Sequence, residues 1–201
     1  MASIYEIKPA FQRLLRPLTR RLAQARVTAN MVTVAACVVS LAVGAWLWLQ
    51  PAARAALLAV PLWLFLRMAL NAIDGMLARE HHMQTKLGAV LNELGDVVSD
   101  AALYLAFGRI AGMSLALAAV ITVLAVITEM TGVVAVQIGA SRRYDGPMGK
   151  SDRAFVFGAI ALLLGLGVPP GRWLLAAQSV LVLLLCITIF NRARRALREV
   201  S

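Results

Sequence analysis

The side chains best able to do chemistry in this sequence are acids and amides set among apolar residues. Asn71 and Asp74 lie three apart, and Asn92, Asp96 and Asp100 recur every four residues with Glu93 beside them. On helices, these spacings put Asn71 and Asp74 on one face. Glu93, Asp96 and Asp100 fall within roughly 60° of one another. Two such helices meeting face to face form a pocket of hard oxygen donors. That donor set suits Mg²⁺ or Mn²⁺, with phosphate oxygens completing the shell. Gly75 and Gly88 leave room for a ligand or a second helix to approach closely. An acid facing lipid near the bilayer centre costs about 3 kcal/mol, so each is expected to face protein, water, a metal or an opposite charge. The plainer account is interhelical hydrogen bonding without chemistry. It requires several like charges to cluster with no cation, which is strongly unfavourable.

A second group is basic. Arg142, Arg143, Lys150 and Arg153 lie in and beside a loop over 139–152 that carries Gly139, Gly146, Pro147 and Gly149. One account is topology control with anionic-lipid contact. The other is an electropositive pocket for the phosphate of an acceptor or a lipid headgroup, with Lys150 and Arg153 foremost. Arg67 lies two turns before Asp74 on the same helical face, and Glu129 lies within a later apolar run. A buried Arg67–Glu129 pair is the expected arrangement. His81 and His82 have no matching partners in sequence and are expected to be solvated. Cys37 and Cys186 sit in separate apolar runs and are expected to pack as small hydrophobes.

The elements that position these groups follow from composition. Hydrophobic residues make up 61% of the 201 and charged residues 15%, with a mean hydropathy of +0.78. Too little charge remains to cover a soluble domain, and the apolar residues fall in runs near 20 residues long, enough to cross a bilayer as helices. Spans are expected near 31–49, 55–78, 88–107, 112–138, 153–169 and 173–190. Residues 1–27 precede them. There, Ile4, Ile7, Phe11, Leu14, Leu15, Leu18 and Leu22 recur at helical spacing among Lys8, Arg13, Arg16, Arg20, Arg21 and Arg26. This pattern predicts a helix lying in the membrane surface, broken or redirected near Pro9 and Pro17. The expected fold is therefore an all-α integral membrane protein, with an amphipathic juxtamembrane helix over 1–27 and a six-helix membrane domain over 28–201.

Charge counting orients it. Sixteen Lys and Arg residues fall on the side that carries both termini, and Arg54, Arg109 and Arg172 fall on the other. The positive-inside rule then places both termini, Asp74 and Asp96 on the cytoplasmic side, where nucleotides and metal ions are available. The net charge of +10 sits mainly at the ends of apolar runs, which speaks against nucleic acid as a partner.

The run from Asn71 through Asp74, Gly75, Ala78 and Arg79, then eight residues, then Gly88, Asn92 and Asp96, resembles the CDP-alcohol phosphatidyltransferase signature DxxDGxxARx8GxxxDxxxD. Every spacing is kept, and Asn71 and Asn92 stand at the first and third aspartate positions. Thr28, Ala29, Asn30 and Thr33 look like the family's entry to its first span. Leu91 to Asp96 and Gly149 to Arg153 are similar to the YnbA-like subgroup of bacterial inner-membrane proteins. The resemblance implies transfer of a phosphatidyl group from CDP-diacylglycerol to an alcohol acceptor, with release of CMP, in a bacterial inner-membrane homodimer. It implies a divalent metal held by Asp74 and Asp96 with Asn71, Asn92 and Glu93, and Asp96 as the general base. It also implies a nucleotide pocket of Asn71, Gly75, Ala78, Arg79 and Gly88, and an acceptor-phosphate site at Lys150, Arg153, Arg142 and Arg143. Asp100 is a further polar position beside the metal set. Asn at two motif positions keeps open a homologue that binds nucleotide lipid or a partner protein without turnover. A small transporter with intramembrane acids is the third reading, and the absence of an inverted repeat counts against it.

Overall fold

The computed structural model describes residues 4–201, with side chains from residue 11 onward. Residues 1–3 and the side chains of Ile4, Ile7 and Lys8, which belong to the expected surface helix, lie outside the described residues. The described chain contains seven α-helices: α1 (Ile4–Gln24), α2 (Ala29–Leu49), α3 (Arg54–Glu80), α4 (Lys86–Ala106), α5 (Leu115–Gln137), α6 (Lys150–Gly165) and α7 (Arg172–Val200). A single 3-10 turn, Phe107–Arg109, follows α4. No strand occurs among the described residues.

The helix starts are chemically marked. The Thr28 hydroxyl accepts from Met31 N at 3.2 Å, Thr85 from Gly88 N at 2.8 Å and Ser114 from Leu117 N at 3.3 Å. Each hydroxyl satisfies an amide that the first turn leaves without an intrahelical acceptor. At the start of α6 the Asp152 carboxylate accepts from Gly149 N at 3.0 Å. The end of α6 needs Gly167, whose φ of +101° lets Val168 N reach Leu163 O at 3.0 Å.

All six expected spans are helices, with shifted ends. Four of them, α2, α3, α5 and α7, are long and apolar enough to cross a membrane. α6 has only 16 residues, and α4 carries Lys86, Glu93, Asp96 and Asp100 within its 21. α1 runs unbroken from Ile4 to Gln24, through Pro9 and Pro17, so the expected break is corrected. An internal proline costs about 3 kcal/mol, and tertiary packing offsets it. Leu15, Leu22 and Ala23 of α1 pack on the buried cluster Ala29, Val32, Ile73 and Leu77.

The chain divides into two compact units. The first comprises residues up to 39 and 65–96. In it α1 is fastened to α3 by Arg16, whose Nε and Nη2 donate to the Glu80 carboxylate at 3.1 and 3.0 Å. That hydrogen-bonded pair holds Glu80 below the usual carboxylate range. The second unit comprises 40–64 and 97–201. Tyr104 and Phe157 stack there with centroids 4.2 Å apart, and Phe107 meets Phe157 edge-on at 4.7 Å. Trp63 Nε1 donates to Ser40 Oγ at 2.9 Å, so a buried indole and a buried hydroxyl satisfy each other.

Candidate active site

A cleft of about 770 Å³ opens in the first unit, a size typical of small-ligand sites. α3 contributes Asn71, Asp74, Gly75, Ala78 and Arg79 to its lining, and α4 contributes Gly88 and Asn92. Asn30 and Thr33 of α2 and Phe11 and Gln12 of α1 complete much of the wall. The whole expected nucleotide set therefore shares one cavity with Asp74 and Asn92.

Asp74 is buried, and its Oδ2 accepts from Thr33 Oγ1 at 2.9 Å and Asn92 Nδ2 at 3.4 Å. Asp96 joins the cleft through Asn71, whose Nδ2 lies 3.5 Å from Asp96 Oδ1. Arg67 Nη2 donates to the same Oδ1 at 3.2 Å and to the Asp96 carbonyl at 3.1 Å. Glu93 is half-buried one position beyond Asn92 and does not line the cleft.

The glycines give the cleft its close approaches. A Cβ on Gly75 would sit 3.0 Å from Arg79 Nη2, so the guanidinium lies over the bare Cα. A Cβ on Gly88 would sit 2.6 Å from Asn30 Oδ1 and 3.0 Å from Thr85 Oγ1. Asn30 Nδ2 also donates to Thr85 Oγ1 at 3.4 Å, which ties α2 to the cap of α4 at the cleft wall.

Among the described residues, no three of His, Cys, Asp and Glu gather as a metal cluster. Two carboxylates and two carboxamides remain as hard oxygen donors around Asp74, Asn71, Asn92 and Asp96. That set fits a divalent cation that also takes phosphate oxygens.

The expected basic residues lie in the second unit, and most are tied to acids. Arg153 is fully buried. Its Nη2 donates to Asp100 at 2.9 Å and Glu129 at 3.0 Å, and its Nη1 to Thr128 Oγ1 at 3.0 Å and Met148 O at 3.3 Å. Glu129 also has Arg192 Nη1 at 3.5 Å and Arg142 Nη2 at 3.7 Å. The expected two-residue pairing of Arg67 with Glu129 thus omitted Asp96 on one side and three arginines on the other. Arg143 bonds Asp145 at 2.8 Å and also the Glu199 carboxylate, while Arg195 reaches Asp145 at 2.5 Å. Burial pushes Asp145 up, but Arg143 and Arg195 outweigh it and leave the carboxyl below its usual range. Lys150 is half-buried at the first position of α6.

Sequence reasoning passed over Thr33 as an Asp74 partner, Arg67 as the Asp96 partner and Arg192 as a buried base. A hydroxyl or charge at i, i+4 or i+7 from a motif residue was the available signal for Arg67, which precedes Asn71 by four and Asp74 by seven. Thr33 and Asp74 are brought together only by packing.

The sequence pattern of CDP-alcohol phosphatidyltransferase matches residues 26–190. The inner membrane protein YnbA of Escherichia coli K12 is 45% identical over 196 residues, which is 97% of this chain and 96% of that one. Two crystal structures of phosphatidylinositol phosphate synthase from Mycobacterium tuberculosis share the fold at 21% identity. The structure with CDP-DAG bound has a TM-score of 0.76 and covers 94% of both chains. The complex with manganese and citrate has a TM-score of 0.75, covering 90% of this chain and 88% of that one. With the family pattern over most of its length and so similar a full-length relative, the chain belongs to the CDP-alcohol phosphatidyltransferase family.

Proposed function

We propose that this protein transfers a phosphatidyl group from CDP-diacylglycerol to an alcohol, releasing CMP, at the cytoplasmic face of the bacterial inner membrane. The observation that carries this is one cleft lined by Asn71, Asp74, Gly75, Ala78, Arg79, Gly88 and Asn92, seven of the eight positions of the family signature, with Asp96 beside Asn71. The crystal structure of similar fold with CDP-DAG bound supports the choice of donor. The proposal includes six spans, with α4 and α6 crossing beside the four longer apolar helices, both termini cytoplasmic, and a homodimer. Residues 1–27 serve as the juxtamembrane segment and 28–201 as the membrane domain.

In this mechanism the cytidine lies in the cleft beside Gly75, Ala78 and Gly88, where the glycines let Arg79 and Asn30 pack tightly against the helices and line the pocket. Arg79 lies over Gly75 and meets the diphosphate from the cleft wall. Asp74, Asn71 and Asn92 would hold Mg²⁺ or Mn²⁺, with Asp96 and Glu93 in the same donor group; the bound cation supplies charge neutralisation for the diphosphate. Asp96, oriented by Arg67 and Asn71, takes the proton of the acceptor hydroxyl. That oxygen forms a bond to the lipid-side phosphorus, and the bond to CMP breaks with its electron pair leaving on CMP. Thr33 and Asn92 keep the Asp74 carboxylate aligned throughout. An anionic acceptor meets Lys150 and Arg142, while Arg153 and Arg143 position the surrounding segments through Asp100, Glu129, Asp145 and Glu199.

The test is purified protein with CDP-diacylglycerol, Mg²⁺ or Mn²⁺ and a panel of alcohols, with CMP measured by chromatography and the lipid product by mass spectrometry. Release of CMP that is lost in Asp74→Asn is expected. Asn71 and Asn92, at two aspartate positions of the family signature, favour a second reading, a homologue that binds CDP-diacylglycerol without turnover. CDP-diacylglycerol binding without CMP release from any acceptor would establish that second reading instead.

A further inference from the structure

From Phe11 onward the side chains of α1 divide into two arcs. On the inner arc Leu15, Leu22 and Ala23 pack on the buried cluster of the first unit, Thr19 is buried, and Arg16 holds Glu80. The outer arc, roughly 160° wide at 100° per residue, is exposed and carries Arg13, Leu14, Leu18, Arg20 and Arg21. Leu14 is 75% exposed and Leu18 47%. Arg26 is exposed just beyond the helix end. No acid stands between Glu6 and Asp74 in the sequence, so nothing nearby along the chain offsets this charge.

The arginines of the second unit are spent on acids. Arg142, Arg143, Arg153, Arg192 and Arg195 each form an ion pair there. On α1 only Arg16 does so, with Arg20 adding to the attraction on Glu80. Arg13, Arg21 and Arg26 make no side-chain hydrogen bond or ion pair among the described residues. Their charges are left for an anion from outside the chain. The connection to α2 says which kind. Only residues 25–28 separate the two helices, a reach of about 14 Å. α2 is long and apolar enough to cross a membrane, so α1 is held at the boundary where that span begins. Headgroups lie at that boundary, with acyl chains beneath them to receive Leu14 and Leu18.

We infer that the outer face of α1 is a binding surface for anionic phospholipid headgroups. Arg13, Arg21 and Arg26 meet the phosphates, and Leu14 and Leu18 sit among the upper acyl chains. A zwitterionic lipid offers the same phosphate beside a quaternary cation, so net charge decides between the two. One arginine at an anionic leaflet shifts that preference about fivefold. Phe11 and Gln12 of the same helix line the cleft. Lipids gathered along α1 therefore stand beside the cleft, and under the proposed transferase reading they include the anionic CDP-linked donor.

The test uses the full-length protein in phosphatidylcholine nanodiscs. Cys37→Ser and Cys186→Ser remove the native thiols, and Gln24→Cys, exposed on α1, carries a fluorophore. Quenching is compared between phosphatidylglycerol and phosphatidylcholine, each with a nitroxide high on one acyl chain and each at the same mole fraction. Phosphatidylglycerol is expected to quench as though it were about fivefold or more enriched beside the label. In about 1 M salt, where the Debye length is about 3 Å, the preference should fall toward unity. Arg13→Gln, Arg21→Gln and Arg26→Gln together are expected to abolish it, and lysine at the same three positions to keep it. Equal quenching by the two lipids in the wild type would overturn the inference, as would a preference that survives in the glutamine variant. Quenching by neither lipid, with energy transfer between labels on two chains, would put a second copy on this face and overturn it too. The quenching is read without turnover, so its outcome is independent of whether CMP is released.

Discussion

Replacing Arg153 with leucine separates a structural role from a substrate contact. Arg153 is fully buried and makes four hydrogen bonds, to Asp100, Glu129, Thr128 and Met148. Leucine removes the charge and all four donors while leaving two acids behind. Breaking one partner out of a buried ion pair costs about 3–5 kcal/mol, because the remaining charge stays desolvated. Glu129 keeps Arg192 and Arg142 within 3.5 and 3.7 Å, so part of its charge stays balanced. Each kcal/mol moves the midpoint of a chain this size by about 2–4 °C, so a fall of about 6–20 °C is expected. The assay is thermal unfolding of the detergent-solubilised protein, followed by intrinsic fluorescence. Asp100→Leu in the same chain removes one of the two acids that Arg153 bonds and should restore part of the loss, with a coupling of about 1–3 kcal/mol. A midpoint within 1–2 °C of wild type, together with a raised KM for an anionic acceptor, would refute the structural role and make Arg153 a substrate contact.

Thr33→Val removes the 2.9 Å bond to Asp74 Oδ2 at nearly constant volume. Loss of such an orienting partner is expected to weaken Mn²⁺ binding about 10–100-fold, measured by dialysis; unchanged affinity would show that packing alone orients Asp74. The loop after α5 is pinned to α7 by acids whose pKa values are lowered. Hydrogen bonds from Ser141 N and Oγ act first on Glu199, and Arg143 and Arg195 outweigh burial at Asp145. Both acids titrate lower folded than unfolded, so the pinning is complete above the usual carboxylate range and is lost as pH falls through the folded values. A spin label at the exposed Tyr144 should therefore be immobile at neutral pH and stay so through the usual carboxylate range, gaining mobility only when the pH falls below that range. Mobility that already rises within the usual carboxylate range would contradict the assignment.

Apolar periodicity was enough to locate every long helix, because a bilayer admits few other solutions for such runs. Helix ends were less legible. α6 begins at Lys150, earlier than hydropathy implies, because Asp152 caps Gly149 N, and polar capping chemistry is invisible to an apolar count. α7 continues to Val200 through its arginines. Arg192 is buried there beside Glu129, and Arg195 and Glu199 bond the loop over 141–145. The unbroken α1 shows the same limit from the other direction. A proline sets a local cost, and only the cluster beneath Leu15 and Leu22 decides whether the helix bears it.

The site was legible as a motif and less so as a balance of charges. Spacing along one helix tells which residues share a face, and it placed Arg67, Asn71 and Asp74 together correctly. It does not tell which residue of another helix that face meets. The sequence reading therefore gave Arg67 to Glu129, the other isolated charge in an apolar run, although Asp96 was already part of the candidate site. The two asparagines looked like losses when counted alone, because each removes a ligand charge from the signature. Taken with Arg67 they form one arrangement. Asn71 supplies an N–H where a carboxylate would repel Asp96, and Arg67 supplies the positive charge that Asp96 requires. A motif position that changes from acid to amide is therefore best weighed against every fixed charge on the same helical face, since the partner that compensates it sits a turn away and outside the motif.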